Sequence, residues 1–484
     1  MRYTSTRDPA VSATAAQAVN DGISRDGGLY VPVELPKADY RDMFDCTYPE
    51  RAQKILDAFF DFDVSGIAER AYATFDGDAA PTVKIDDGLY VLELWHGRTH
   101  AFKDMALSVL PHLLTAAKKQ EGDARKTLIL VATSGDTGKA ALEGFKDVDG
   151  TAVCVFYPTD GVSRVQKLAM MTQDGSNVNS VGIVGNFDDA QNAVKLAFGD
   201  VGLISALEAN NTVMSSANSI NVGRLVPQIA YYFSAYCDLV TCGEIDDGGK
   251  VDFVVPTGNF GNILAGYYAR EMGVPIGKLV CASNRNNVLT DFIATGKYDI
   301  NREFFRTTSP SMDILVSSNL ERLLFETSGR DAALTKQRMD ALKAVGEYTV
   351  SKAEHKKITD IFDCGYADDA DCRDAIEHMF DEYGYLIDTH TAAAYAVARK
   401  RKSKNPTVVV STANPYKFAP AVLGALGEEV GGEVTLKTLE LLCDLTAMEI
   451  PPSLGELFGK KVRFDEVIDK SEIIEYIKKT YGNT

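Results

Sequence analysis

Three stretches of the chain repeat one arrangement: an apolar run rich in β-branched residues, a turn of small polar residues, then apolar positions at helical spacing. They are KTLILVATSGDTGKAALEGF from Lys126, VDFVVPTGNFGNILAGYYAREMG from Val251 and NPTVVVSTANPYKFAPAVLGAL from Asn405. Uninterrupted Val, Ile and Leu runs suit strands covered on both faces, as in a parallel sheet, because a strand with one wet face would alternate. TAVCVFYP, SVGIVG and KLVCAS extend the set of strands, and residues 187 to 198 and 224 to 237 carry helical spacing. Strands alternating with helices predict an α/β fold with open, mostly parallel sheets and flanking helices. In such folds ligands lie beyond the carboxyl ends of the strands, so the three small-residue turns are expected to share one crevice.

Outside these stretches the pattern changes. Residues 1 to about 90 contain the turn-rich SRDGGLYVPVELP and then helical segments, which reads as a separate N-terminal unit. The region from about 300 to 350 is more polar and is expected to decorate the core, and the Lys-rich tail from about 455 reads as a solvated terminal helix.

Composition narrows the function classes. The 484 residues include 50 Lys plus Arg against 68 Asp plus Glu, a net charge of -18 that argues against nucleic-acid and anionic-membrane partners. No apolar run reaches the length of a membrane span, and MRYTSTRDPAVSAT lacks the apolar core of a secretory signal. Eight cysteines are scattered through the chain, several inside apolar runs, as expected of reduced thiols in a cytoplasmic protein.

Candidate chemistry starts at Lys103 in WHGRTHAFKDM, which sits among Ala101, Phe102, Met105, Ala106 and Leu107. Desolvation there would lower its pKa and free the amine as a nucleophile, although a snorkelling structural lysine has the same flanks. SGDTG at 134–138 and TGNFGN at 257–262 each precede a predicted helix, where backbone N–H groups can bind an anion. The plainer alternative is a βα turn capped by Thr137 or Asn262. NSINVGR at 218–224 gathers amides, a hydroxyl and Arg224, a set suited to a phosphate, or else an Asn-capped helix with a solvated arginine.

Several chemistries lose support. There is no P-loop, no G-x-G-x-x-G, no G-x-S-x-G elbow and no H-E-x-x-H, and His96 and His100 flank Gly97 without a third ligand, so no metal is expected. A poised lysine, an anion loop for a cofactor and a second anion site for a substrate together point to pyridoxal phosphate chemistry, in which the lysine amine forms an imine with the cofactor.

At these residues the chain resembles the threonine synthase family, in its longer form. The resemblance runs in order through TSTRD, DGGLYVP, HGRTHAFKDMAL, ATSGDTGKAA, NSINVGR, VPTGNFGNILAGYYA, MDILVSSNLERLLFE and STANPYKF. It implies a fold-type II pyridoxal phosphate enzyme with an N-terminal domain over 1–92, two α/β subdomains within 93–440 and an extension over 441–484. It also implies conversion of O-phospho-L-homoserine and water to L-threonine and phosphate, by a monomer or homodimer. Lys103 would carry the cofactor and shuttle protons. Gly258, Asn259, Phe260, Gly261 and Asn262 would cradle its phosphate, Thr412 would face the pyridine nitrogen, and Asp136 would lie near the ring hydroxyl. Ser134, Thr137, Asn218, Ser219 and Arg224 would meet the substrate's carboxylate or phosphate.

The chain departs from the family pattern at Arg98 and Thr389, where proline is common, and at Asn414, where histidine is common. None of these carries an assigned role, so they bear on substrate tuning. The nearest rival activity is a related phospho-lyase that releases a keto acid from phosphohomoserine or phosphothreonine. A dehydratase or sulfhydrylase on the same fold would have no use for NSINVGR as a phosphate site, and a small-ligand binding protein would carry no lysine-bound chromophore.

Overall fold

The computed structural model describes residues 1–133, 135–160 and 162–482. Two open sheets dominate. In the larger, the strand order is Phe362–Tyr366, Ile276–Ser283, Val251–Pro256, Thr407–Ser411, Leu89–Glu93 and Thr82–Asp86, with every pairing parallel except the last. In the smaller, Val467–Asp469, Val178–Val184, Thr151–Pro158, Lys126–Ala132 and Thr212–Ser215 are all parallel. The runs VDFVVP and TAVCVFYP are buried at every position, as continuous apolar strands covered on both faces must be. This is the α/β architecture of open, mostly parallel sheets that the periodicity predicts.

The N-terminal residues build a small antiparallel sheet from Ala13–Thr14, Arg2–Ser5 and Tyr30–Pro32. Its neighbouring helices do not keep a core of their own. Helix Ala15–Asp21 packs on Leu110–Glu121, and Tyr48–Phe59 packs on Ile229–Thr241. One apolar cluster therefore runs from Val19 and Phe59 through Leu113 and Val153 to Phe253 and Leu279. Among the described residues, no helix is long and apolar enough to cross a membrane.

Two expectations need correction. The tail is not a solvated helix: Val467–Asp469 extends the smaller sheet, and Ile473 and Ile477 are fully buried beside Leu128 and Val181. Those isoleucines are four apart, so they share one helix face, but a three-residue strand among lysines leaves too short a pattern to read. The 300–350 region is also more than decoration. Asn319 and Arg322, at the start of helix Leu320–Thr327, have no solvent exposure and reach the turns described next.

Candidate active site

Lys103 sits in a loop that its own residues make rigid. The Asp104 carboxylate accepts from the Thr99 N–H at 2.7 Å and the Thr99 hydroxyl at 2.6 Å. Gly97 must be glycine, because a Cβ there would lie 2.5 Å from Asp104. The Phe102 N–H donates to the Thr412 carbonyl at 2.9 Å and the Asn414 N–H to the His100 carbonyl at 3.0 Å. These bonds fix Lys103 beyond the carboxyl end of strand Thr407–Ser411, inside the crevice expected of the fold.

The lysine's flanks Ala101, Met105, Ala106 and Leu107 are all buried, and its ammonium lies 5.0 Å from the Phe102 ring. Burial lowers its pKa to about 8; Lys417 and Arg224 push in the same direction, against the pull of Asp136. The desolvated reading of WHGRTHAFKDM therefore holds over the snorkelling one.

Asp136 opens helix Asp136–Phe145 and is buried between two cations, with Oδ1 2.8 Å from Lys417 Nζ and Oδ2 3.8 Å from Lys103 Nζ. Burial alone would raise its pKa, but the Lys417 and Lys103 ammoniums outweigh it and hold the carboxyl well below the usual range. Lys417 also donates to the Thr99 carbonyl at 2.7 Å, which ties the lysine loop to the helix start. A cavity of about 160 Å³ opens beside this pair, lined in part by Arg98, Lys139, Gln166 and Ser453.

Residues 257–262 form the turn between strand Val251–Pro256 and helix Gly261–Met272. Phe260 takes a left-handed φ of 61°, and a Cβ on Gly258 would lie 2.8 Å from the Ser311 carbonyl oxygen. The Gly258 carbonyl accepts from Ser317 Oγ at 2.8 Å and the Asn259 carbonyl from the Asn319 N–H at 3.1 Å. No described residue accepts from the N–H groups of residues 258–262. Asn262 Oδ1 accepts from the Tyr231 and Tyr232 hydroxyls at 2.7 and 2.8 Å, which leaves its Nδ2, buried and without a partner, as a donor. A helix start with bare amides and one orphaned side-chain donor fits a phosphate.

The second anion stretch is built otherwise. Arg224 lies in the short helix Val222–Leu225 and is buried, with one hydrogen bond from Nη1 to the Ala217 carbonyl at 2.7 Å. No described carboxylate pairs with it, and burial lowers its pKa to about 10. A buried guanidinium with most donors unspent fits an anionic ligand better than the solvated arginine of the plainer reading. Asn218 and Ser219 bond to each other at 3.3 Å rather than to Arg224, and Asn218 is exposed.

Of the remaining assigned residues, Ser134 lies outside the described residues. Thr137 is half-buried and Thr412 buried, and neither side chain bonds to a described residue. Neither Thr137 nor Asn262 caps its helix; the Thr133 hydroxyl instead accepts from the Gly135 and Gly138 N–H groups at 2.9 and 3.0 Å. Of the three departures, Thr389 Oγ1 donates to the Thr308 carbonyl at 2.8 Å and Asn414 Oδ1 accepts from the Tyr416 N–H at 3.0 Å, while Arg98 is exposed and lines the cavity.

Sequence reasoning missed Lys417, Asn319, Arg322 and His390. His390 donates from Nδ1 to Asp388 at 2.8 Å and accepts at Nε2 from the Ser311 N–H at 3.2 Å, which props the turn behind Gly258. Lys417, Asn319 and Arg322 stand in motifs quoted above and His390 follows Thr389, but Asp136, Asn259, Ile220 and Ser311, to which they bond, are distant in sequence.

Comparison with known proteins identifies the family. The description of pyridoxal-phosphate dependent enzymes matches residues 79–413, that of the threonine synthase N terminus residues 2–72, and that of the threonine synthase C-terminal region residues 391–477. The chain is 38% identical over 474 residues to the human protein named threonine synthase-like 1, covering 94% of this chain but 63% of that longer protein. It is 39% identical over 495 residues to threonine synthase of Pseudomonas aeruginosa, covering 100% of this chain and 99% of the other. The crystal structure of PLP-bound threonine synthase from Brucella melitensis superposes with a TM-score of 0.89 at 38% identity, covering 100% of both chains. With this fold and these matches along its length, the chain belongs to the threonine synthase family of pyridoxal-phosphate dependent enzymes.

Proposed function

We propose that this chain converts O-phospho-L-homoserine and water to L-threonine and inorganic phosphate. The observation that carries the proposal is the pair of unspent donors, Asn262 Nδ2 and the Arg224 guanidinium, which provide for two phosphates beside one desolvated lysine.

In this reading the amides of residues 258–262 and Asn262 Nδ2 hold the phosphate of pyridoxal 5'-phosphate, and Lys103 Nζ is its point of attachment. When bound, the cofactor supplies the electron sink that makes carbon-bound protons acidic. Lys103 Nζ, with its lowered pKa, takes the proton from the substrate's Cα and returns protons to carbon. Asp136, kept ionised by Lys417, stands near the ring hydroxyl, and Thr412 meets the pyridine nitrogen with a neutral hydroxyl. Ser134 and Thr137 take the substrate carboxylate. Arg224, with Asn218 and Ser219, holds the γ-phosphate and stabilises its charge as the C–O bond breaks. All eight cysteines are free thiols, which supports a cytoplasmic location.

The test is product analysis on the purified enzyme with phosphohomoserine. Equal amounts of L-threonine and phosphate are expected. A keto acid in place of threonine would instead establish the phospho-lyase reading, and no phosphate release at all would sink both.

A further inference from the structure

Arg322 is a fully buried side chain with no carboxylate partner among the described residues, and burial lowers its pKa. Burying a guanidinium without a carboxylate partner is costly, and an apolar residue of similar volume would avoid that cost. Its three hydrogen bonds show what the charge does there. Nε donates to the Tyr30 carbonyl at 3.1 Å, Nη2 to the Ile220 carbonyl at 2.6 Å and Nη1 to Asn319 Oδ1 at 2.5 Å. One guanidinium thus joins the N-terminal sheet, the 218–224 stretch and the segment leading into helix Leu320–Thr327.

Asn319, also without solvent exposure, continues the link. A guanidinium has donors only, so the amide must turn Oδ1 to Arg322 and Nδ2 away from it. That Nδ2 donates to the Asn259 carbonyl at 3.1 Å and to the Ser219 carbonyl at 3.3 Å. The Asn319 N–H holds the same Asn259 carbonyl at 3.1 Å. In a trans peptide C=O and N–H point opposite ways. Holding the Asn259 and Ser219 carbonyls toward Asn319 therefore turns the N–H groups of Phe260 and Ile220 away from it.

We propose that Asn319 and Arg322 are positioning residues that lock the cofactor-phosphate turn and the substrate-phosphate stretch in one register, so that each site depends on the same amide. The proposal rests on the reading of these two stretches as phosphate sites. No other described side chain hydrogen-bonds to both of them.

The decisive variant is Asn319→Asp in the full-length enzyme, which keeps the shape and the acceptor for Arg322 but removes both Nδ2 donors. The dissociation constant for pyridoxal 5'-phosphate and the KM for phosphohomoserine should each rise about tenfold, with Tm near wild type. Arg322→Met should raise both constants and, because it leaves the Tyr30 and Ile220 carbonyls and Asn319 Oδ1 without their donor, lower Tm as well, so Asn319→Asp carries the test. Combining Asn319→Asp with Arg224→Leu separates positioning from general damage. In that background the KM effect of Asn319→Asp should vanish, while its effect on cofactor affinity persists. Independent, multiplicative losses in KM, or wild-type values of both constants in Asn319→Asp, would overturn the proposal. An Arg224→Leu single variant with unchanged KM would reject the substrate-phosphate reading itself, and the cofactor titration would then still judge the Asn259 half of the clamp.

Discussion

Residues 257–262 follow a six-residue buried strand and lead a twelve-residue helix, whereas residues 218–224 follow a four-residue strand and lead a four-residue helical turn that continues through Val226–Gln228 into helix Ile229–Thr241. The helix start at Gly261 offers aligned amides and a macrodipole, and Asn262 adds one neutral donor. At the second turn the N–H groups of Asn221, Gly223 and Arg224 are already spent on Asn218 and Asn221, and the charge comes from the Arg224 side chain instead. A set of amides binds a dianion at one place, as suits a cofactor that stays through the reaction. A guanidinium keeps its full charge wherever a phosphate turns, which suits a group that must bind, part from carbon and leave. The first turn is fixed by Ser317, Asn319 and, through Ser311, His390, and the second by Asn319 and Arg322 at Ser219 and Ile220, while the Arg224 side chain itself has a single backbone contact.

The strongest way to break this comparison is to remove what both turns serve. Lys103→Ala should lower turnover by at least about 10³-fold, and borohydride reduction of the wild-type holoenzyme should mark one peptide, that containing Lys103. A mark on any other lysine would place the two turns around the wrong amine.

Next comes the charge of the second turn. Arg224→Leu should lower kcat/KM for phosphohomoserine by about 10²- to 10³-fold with cofactor affinity intact, and Arg224→Lys by less, since it keeps the charge without the fork. Because the buried guanidinium lacks a carboxylate partner, Leu should leave Tm unchanged or higher. Loss of cofactor in place of substrate affinity would mean that the two phosphates have been exchanged between the turns.

The first turn is sharpened by Asn262→Asp, which still accepts from Tyr231 and Tyr232 but turns the orphaned donor into an anion. Cofactor titration should show affinity about 10- to 100-fold weaker, with the phosphohomoserine KM of the cofactor-saturated enzyme near wild type.

The smallest effect concerns the lysine's titration. Lys103 faces Asp136, Lys417, Arg224 and Asp104; burial lowers its pKa most, and Lys417 and Arg224 lower it further. Removing Lys417 deletes a repelling cation and leaves Asp136 to Lys103 alone, and both changes raise the pKa. In cofactor-free enzyme, acylation of Lys103 should have a midpoint near pH 8, and Lys417→Met should move it upward. A downward shift would show that Lys417 does not act through charge.

Much of this was legible in the sequence, and the reason differs by element. Strands such as TAVCVFYP and VDFVVP announce themselves because burial on both faces requires an unbroken apolar run. The apolar surroundings of Lys103 were legible because those neighbours are adjacent in sequence. The tail strand Val467–Asp469 was hidden by its length, since three residues cannot display a period. Asn319 and Arg322 were hidden for a different reason: their partners are residues 30, 219, 220 and 259, and no local pattern records contacts at that separation. Lys417 stood in NPYKF, where a lone cation after a turn has no signature until Asp136 is seen beside it.

Strand Thr407–Ser411 stands in the middle of its sheet, between Val251–Pro256 and Leu89–Glu93, yet it leaves the ribosome after both. Its neighbours have no ladder to share until it arrives, and the bond from Phe102 to Thr412 has no acceptor. Lys417, which pairs with Asp136 beside Lys103, follows on the same late segment, so the surroundings of Lys103 are completed by residues that come more than 300 positions after it.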